Sequence, residues 1–408
     1  MLSARIRSHN YGTVILCCCF LIYFVMVGMV NSTSSLFIVP VSETYGFSRT
    51  AFSVTLSLDS LGVAVINIFY GKIYARFGIR KMMTFGFFAG GVAFILMSRA
   101  TSLPMFYLGG LLSSIGLGLN SNTSMALLIN NWFSRRQGTL LGLISASSGL
   151  GGFIFSTLFA FLIADHGYQS AYLCTAIILL VMILPTVLII REKELPEEDG
   201  GQGALKRTDG KGYFHGFRLL MKDRSVLFML IGTFALGFLV HSTLVASPAQ
   251  MQINGISPVT SGIIYGGAYF SMGVFKVLMG YAHDRLGIKT ATVTGILGFV
   301  ASAIVLIFVS NAVLGWVYII FAGLGAATES VLTPLMARNV LSNKNYRKYL
   351  GIYSAALTLG ISAGVPVINA VYDIFGTYVP GFIAYSVIAL FVLYMIVISV
   401  QPVDKADS

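Results

Sequence analysis

The sequence predicts an all-α integral membrane protein: twelve transmembrane helices in two pseudo-symmetric six-helix bundles, with both termini cytoplasmic. Three observations predict it. The 408 residues are 56% hydrophobic and only 10% charged, against about 25% charged in a soluble domain, and the mean hydropathy is +0.84. The apolar residues gather into twelve runs of roughly the ~20 residues that span a bilayer, divided six and six by the one long polar segment. A basic stretch, GKIYARFGIRK from Gly71, returns as GYAHDRLGIK from Gly280. Gly71 and Gly280, Arg76 and Arg285, Gly78 and Gly287, Ile79 and Ile288, and Arg80 and Lys289 are each 209 positions apart, the mark of an internal duplication.

The runs occupy residues 12–38, 50–72, 82–98, 103–128, 139–164, 169–190, 225–249, 259–282, 290–309, 312–337, 350–371 and 378–400. Residues 1–190 form the first half and 225–408 the second. Residues 191–224 contain EKELPEEDGGQG and read as a flexible cytoplasmic linker. Cys17, Cys18 and Cys19 in the first run and Cys174 in the sixth act as small hydrophobes, with no metal-ligand spacing. The first run is about twice the length of a signal-peptide core and no small-residue cleavage site follows it, so it is expected to be retained.

Lysine and arginine set the orientation. With the amino terminus inside, 23 of the 26 basic residues fall on the cytoplasmic side; Arg49 and Arg99 are outside and Lys276 lies within a run. The net charge of +11 is therefore a topology signal rather than a nucleic-acid surface. The duplication reaches beyond the loops. Asn31-Ser32-Thr33 before Pro40 parallels His241-Ser242-Thr243 before Pro248, and Gly142 lies 209 positions before Gly351. Two halves in the same orientation are parallel repeats, related by an axis along the membrane normal. Forty-four glycines suit helices that approach closely.

The pattern G-x-x-x-D-R-x-G-R-R/K between the second and third runs, weakly repeated between the eighth and ninth, resembles the major facilitator superfamily. Here Gly280, Asp284, Arg285, Gly287 and Lys289 make the second copy complete, whereas Ala75 replaces the acid of the first. The junction Asn131-Trp132-Phe133-Ser134-Arg135-Arg136-Gln137-Gly138, followed by Gly142, Gly149, Gly151 and Gly152, is similar to the monocarboxylate porter and oxalate/formate antiporter group. In that group an arginine four residues before the glycine of the second loop binds the substrate carboxylate. Lys276 holds that place, keeping the charge without the bidentate fork. Residues 350–371 lack the lysine of oxalate-type members, and Asn122 stands where they carry a tyrosine. The resemblance implies that helices 1, 4, 7 and 10 line a central cavity. It also implies that the loop residues Gly71, Arg76, Gly78, Arg80, Gly280, Asp284, Arg285, Gly287, Lys289, Arg135 and Arg136 act in gating.

Ionisable groups at bilayer depth cost a few kcal/mol or more and mark pathways or partners. Lys276 is expected to anchor a substrate anion, the alternative being snorkelling to the interface. Glu329, in the tenth run, lies 209 positions after Asn120. It is a candidate proton carrier, or the structural partner of Lys276, or a group facing a wet crevice. Asp59 in the second run is a second proton-coupling or gating candidate; its alternative is a carboxylate satisfied by neighbouring hydroxyls. His241 is a candidate for substrate hydrogen bonding or a packing residue. Asn31, Asn120 and Asn122 are weaker substrate-binding candidates, and with Asn67 they can equally glue helices.

The function this reading implies is secondary active transport of a small organic anion, most simply a monocarboxylate by proton symport through alternating access. Anion exchange, export of drugs or neutral solutes, and membrane sensing are the alternatives. The sequence has no nucleotide-binding loop, paired-histidine metal motif or hydrolase elbow, so no enzymatic activity and no cofactor are expected. The expected partners are the organic anion, protons and the lipid bilayer of the cell membrane, with the chain working as a monomer.

Overall fold

A computed structural model describes residues 2–133, 137–191, 221–341 and 343–400. Among these residues there is no strand, and twelve helices are long and apolar enough to cross a membrane. In the first half they are α1 (Tyr11–Tyr45), α2 (Arg49–Tyr70), α3 (Ile73–Arg99), α4 (Leu103–Ile129), α5 (Leu140–His166) and α6 (Tyr168–Ile189). In the second they are α7 (Arg224–Ile253), α8 (Pro258–His283), α9 (Arg285–Phe308), α10 (Val313–Val340), α11 (Ile352–Phe375) and α12 (Val379–Ser399). Most of the linker and the Arg135–Arg136 pair lie outside the described residues.

Two spans are longer than the sequence reading drew them. The first continues past residue 38 to Tyr45, and the second continues past residue 72 to the break at Gly78. Apolar runs stop at polar residues, whereas backbone hydrogen bonding carries the helix through them. The basic stretch is correspondingly not an open loop. Residues Arg49–Arg99 are helical apart from one break at Gly78, with φ 71 and ψ 160. Pro258–Phe308 likewise breaks at Gly287, with φ 82 and ψ 170. That backbone region is closed to residues with a Cβ, so glycine is required where each hairpin reverses.

The duplication is written in the backbone. The described glycines with positive φ are Gly46, Gly78, Gly167, Gly255, Gly287 and Gly376. They form three pairs, each 209 positions apart. Ser48 caps α2 by accepting from the Ala51 N–H, and 209 positions later Ser257 caps α8 by accepting from the Thr260 N–H. Packing repeats with the roles exchanged. Gly62 of α2 meets the Ser114 side chain of α4, whereas Gly323 of α10 meets the Ser271 side chain of α8. Both crossings need one small partner, and each half supplies it from the opposite helix.

The halves meet at mid-depth and toward the end of the bundle that carries Arg49. Gly149 and Gly152 of α5 lie against Tyr269 of α8, and the Phe153 and Phe270 rings approach to 6.0 Å. Ser57 Oγ donates to the Ser362 carbonyl at 2.6 Å, and Ser362 Oγ returns a bond to the Ser57 carbonyl at 3.2 Å. Nearer the Gly78 end, a Cβ at Gly142 or Gly280 would meet nothing within 4 Å. Contacts between the halves hold the bundle together at the Arg49 face.

Candidate functional site

The α1 and α7 helices each loosen once near their middle. A π turn spans Met26–Asn31 in α1, and another spans Gly237–His241 in α7. A π turn frees carbonyls from the regular ladder, and adjacent hydroxyls take them up. Ser32 Oγ donates to the Val27 carbonyl at 3.1 Å and Thr33 Oγ1 to that of Met29 at 2.7 Å. Ser242 Oγ donates to the Phe238 carbonyl. Asn31 and His241, aligned in the sequence, are the last residues of these turns. Interrupted helices of this kind are frequent at functional sites, and neither hydropathy nor residue spacing reveals them.

His241 Nδ1 lies 3.5 Å from Glu329 Oε2, with side chains 16% and 15% exposed. This ion pair joins α7 to α10. The second carboxylate oxygen, Glu329 Oε1, is buried without a hydrogen bond. Lys276, half-buried on α8, is within electrostatic reach of Glu329. Among the described residues no hydrogen bond or ion pair holds its ammonium. Of the alternatives for Glu329, its contact partner is thus His241 and not Lys276.

A cleft enclosing about 660 Å³, its open mouth included, runs between the halves. Asn31, Asp59 and His241 all line it. Its walls are largely apolar, with Phe37, Phe52, Phe94 and Tyr172 on one side and Val245, Ile361 and Val365 of the second half on the other. Asp59 has Ser113 beside it, and its Oδ1 atom is buried and accepts no hydrogen bond.

Other expected site residues lie elsewhere. Asn120 is fully buried and outside the cleft, donating from Nδ2 to the carbonyls of Met83 at 3.3 Å and Gly116 at 3.0 Å. It joins α4 to α3. Asn122 is exposed at the start of the second segment of α4, after the break at Asn120 and Ser121, and Asn67 is exposed on α2. The loop residues divide. Ile79 and Ile288 are buried and anchor the hairpins, while Arg76, Arg80, Arg285 and Lys289 are exposed. Arg80 donates to the Val187 carbonyl at the end of α6. Arg76 lies over the Phe77 ring and Arg285 over the Tyr281 ring. The Asp284 side chain is outside the described residues.

Two features were not anticipated. Trp132 ties the junction motif to the end of α6: its indole N–H donates to the Arg191 carbonyl at 2.8 Å, and its ring lies 5.1 Å from that of Tyr11. At the opposite face Asp373, on the last turn of α11, accepts from the Arg49 and Thr50 N–H groups at 3.2 and 3.0 Å. A carboxylate from one half thereby caps α2 of the other. The Arg49 guanidinium lies 3.7 Å from the Tyr372 ring centre and donates to the Tyr378 hydroxyl at 3.2 Å. Aspartate on a helix end reads as an interface residue until its partner helix is known.

The chain is similar to known transporters over most of its length. It is 27% identical over 345 residues to monocarboxylate transporter 13 of Bos taurus, covering 80% of this chain and 75% of that one. It is 21% identical over 258 residues to the uncharacterised MFS-type transporter YcxA of Bacillus subtilis, covering 62% and 61%. The match to the oxalate:formate antiporter of Oxalobacter formigenes is 25% over 184 residues, or 45% and 43% of the two chains. Among solved structures, the nucleoside transporter NupG superposes with a TM-score of 0.76 at 14% identity, over 96% of this chain and 99% of that one. An inward-facing, unoccupied bacterial homologue of the human lysosomal transporter Spinster gives a TM-score of 0.70 at 12% identity, over 96% and 95%. At such identities the likeness is one of fold. The model of the Major Facilitator Superfamily matches residues 16–253 and 229–408. Twelve spans, a repeat visible in glycines and caps, and a match over nearly every residue lead to one statement: this chain belongs to the Major Facilitator Superfamily.

Proposed function

We propose that the protein is a proton-coupled secondary transporter of a small organic monoanion. It works by rocking residues 1–190 against residues 225–408 around the central cleft, with residues 191–224 as the tether. The Gly78 face is cytoplasmic by the distribution of basic residues, so both termini lie inside the cell. The cell membrane is its place of action, and a single chain is the working unit.

The reading rests on how the charges are divided. The Glu329 carboxylate is in contact with His241, and the ammonium of Lys276, within electrostatic reach of that acid, makes no hydrogen bond or ion pair among the described residues. An unpaired ammonium at bilayer depth is costly, and a carboxylate arriving from outside relieves that cost. Lys276 is thus the anion anchor. Glu329, positioned by His241, carries the proton that travels with the anion and compensates its charge. One cation suits one carboxylate, which favours a monoanion over a dianion. Monocarboxylate transporter 13 and the oxalate:formate antiporter, named for such anions, lend support.

Uptake of labelled pyruvate and phenylacetate into proteoliposomes, with and without an inward proton gradient, tests the proposal. Accumulation driven by the gradient supports it. Transport of either anion only in exchange for a preloaded anion replaces symport with antiport, and transport of neither removes the substrate class.

A further inference from the structure

The cleft is more apolar than an acid of one to three carbons needs, and it carries a carboxylate of its own. Phe37 and Tyr172 form a stacked wall, with ring centres 4.0 Å apart and planes at 10°. Phe52 and Phe94 are nearly fully buried behind the same surface. Val245, Ile361 and Val365 close it from the other half. Such walls remove apolar surface from water and offer little to a small hydrated anion.

Asp59 belongs to this cleft and not to the Glu329 cluster. No lysine or arginine lines the cleft, and its one other ionisable group of opposite sign, His241, already faces Glu329. Ser113 and Ser60 stand near Asp59, but neither supplies a positive charge. A carboxylate beside an apolar chamber, with no protein cation to meet it, is matched by a donor on the ligand.

We propose that Asp59 is a subsite for a protonated nitrogen, and that the solute carried by this transporter has an apolar, ring-sized body ending in that nitrogen. This assignment deepens the reading given above. A solute that also bears a carboxylate would offer that group to Lys276 on α8. The aromatic wall, on the Arg49 side of Asp59, takes the body.

The test is binding and transport by the full chain in proteoliposomes, using four probes: acetate, phenylacetate, 4-(aminomethyl)phenylacetate and benzylamine. The aminomethyl acid is expected to bind about tenfold more tightly than phenylacetate, the worth of one charge-assisted hydrogen bond, with acetate weakest. Asp59→Asn, close in shape, should level the two aromatic acids, and Asp59→Glu should keep the preference. Thermal unfolding of each variant confirms that it is folded; if the Asn variant is not, the wild-type ratio and the Glu variant decide. Equal binding of the two aromatic acids by wild type overturns the proposal, as does a preference that survives Asp59→Asn. Equal loss of every probe's pH dependence in Asp59→Asn, with the preference intact, makes Asp59 a proton relay and also overturns it. Tight binding of benzylamine, lost in Asp59→Asn, alongside indifference to every carboxylate would uphold the nitrogen subsite while removing the anion reading.

Discussion

Glu329 is held by His241, with Oε2 of the acid 3.5 Å from Nδ1 of the imidazole, across the gap between α7 and α10. The contact links two helices that alternating access moves as one body, and it sets the carboxylate beside the π turn of α7. His241 is a positioning residue in this account and Glu329 the proton carrier. His241→Gln keeps a donor toward the acid and should retain gradient-driven accumulation. His241→Phe leaves the buried acid without its partner, a loss of about 1–3 kcal/mol, and should slow transport by roughly ten- to a hundredfold. Initial rates of uptake at saturating probe concentration distinguish the two variants.

Lys276 carries the second claim. A charge-assisted hydrogen bond contributes about 1.5–3 kcal/mol. Lys276→Ala should therefore raise the KM for phenylacetate by roughly ten- to a hundredfold, while Lys276→Arg retains substantial transport. Benzylamine binding should change little in either variant. An alanine variant with wild-type KM would return Lys276 to the role of a snorkelling residue.

Asp373 and Arg49 hold the outer face shut. Removing the interhalf cap by Asp373→Ala should weaken the closed state by about 1–2 kcal/mol, a five- to thirtyfold shift in the balance of conformations. A cysteine at Val245→Cys, in a background lacking the native thiols, would report it through faster labelling from the Arg49 face. Arg49→Lys keeps the charge but loses the flat stacking on Tyr372, and should give a smaller shift in the same direction.

Gly78 is a backbone requirement, not a gating charge. Its φ of 71 and ψ of 160 admit glycine alone at a cost below ~1–3 kcal/mol. Gly78→Ala should lower the Tm of the purified protein, as should Gly287→Ala, whereas Ala75→Ser beside the same hairpin should not. Thermal unfolding monitored by tryptophan fluorescence compares the three.

The fold was readable because its signals are local and repeated. Twelve apolar runs, an asymmetric distribution of lysine and arginine, and an offset of 209 residues needed no tertiary information. The same offset later reappeared in Gly46 and Gly255, Gly167 and Gly376, and the Ser48 and Ser257 caps. The site was readable only in part. Buried charge marks positions worth attention, so Glu329, Lys276, Asp59 and His241 stood out. Direction around a helix axis is set by packing, and that is why Asn120 could be aligned with Glu329 yet turn to the Met83 and Gly116 carbonyls. Pairing across 88 residues, His241 with Glu329, leaves no trace in spacing. Nor do the two π turns, in which Gly28 and Gly237 lie against neighbouring helices.

The central claim is that Glu329 couples the movement of an organic anion to a proton. Its most direct measurement is accumulation of labelled phenylacetate in proteoliposomes under an imposed inward proton gradient, compared between wild type and Glu329→Gln. The account predicts that wild type concentrates the probe above its external level. Glu329→Gln should still exchange internal for external probe but accumulate none. Undiminished gradient-driven accumulation by Glu329→Gln would contradict it.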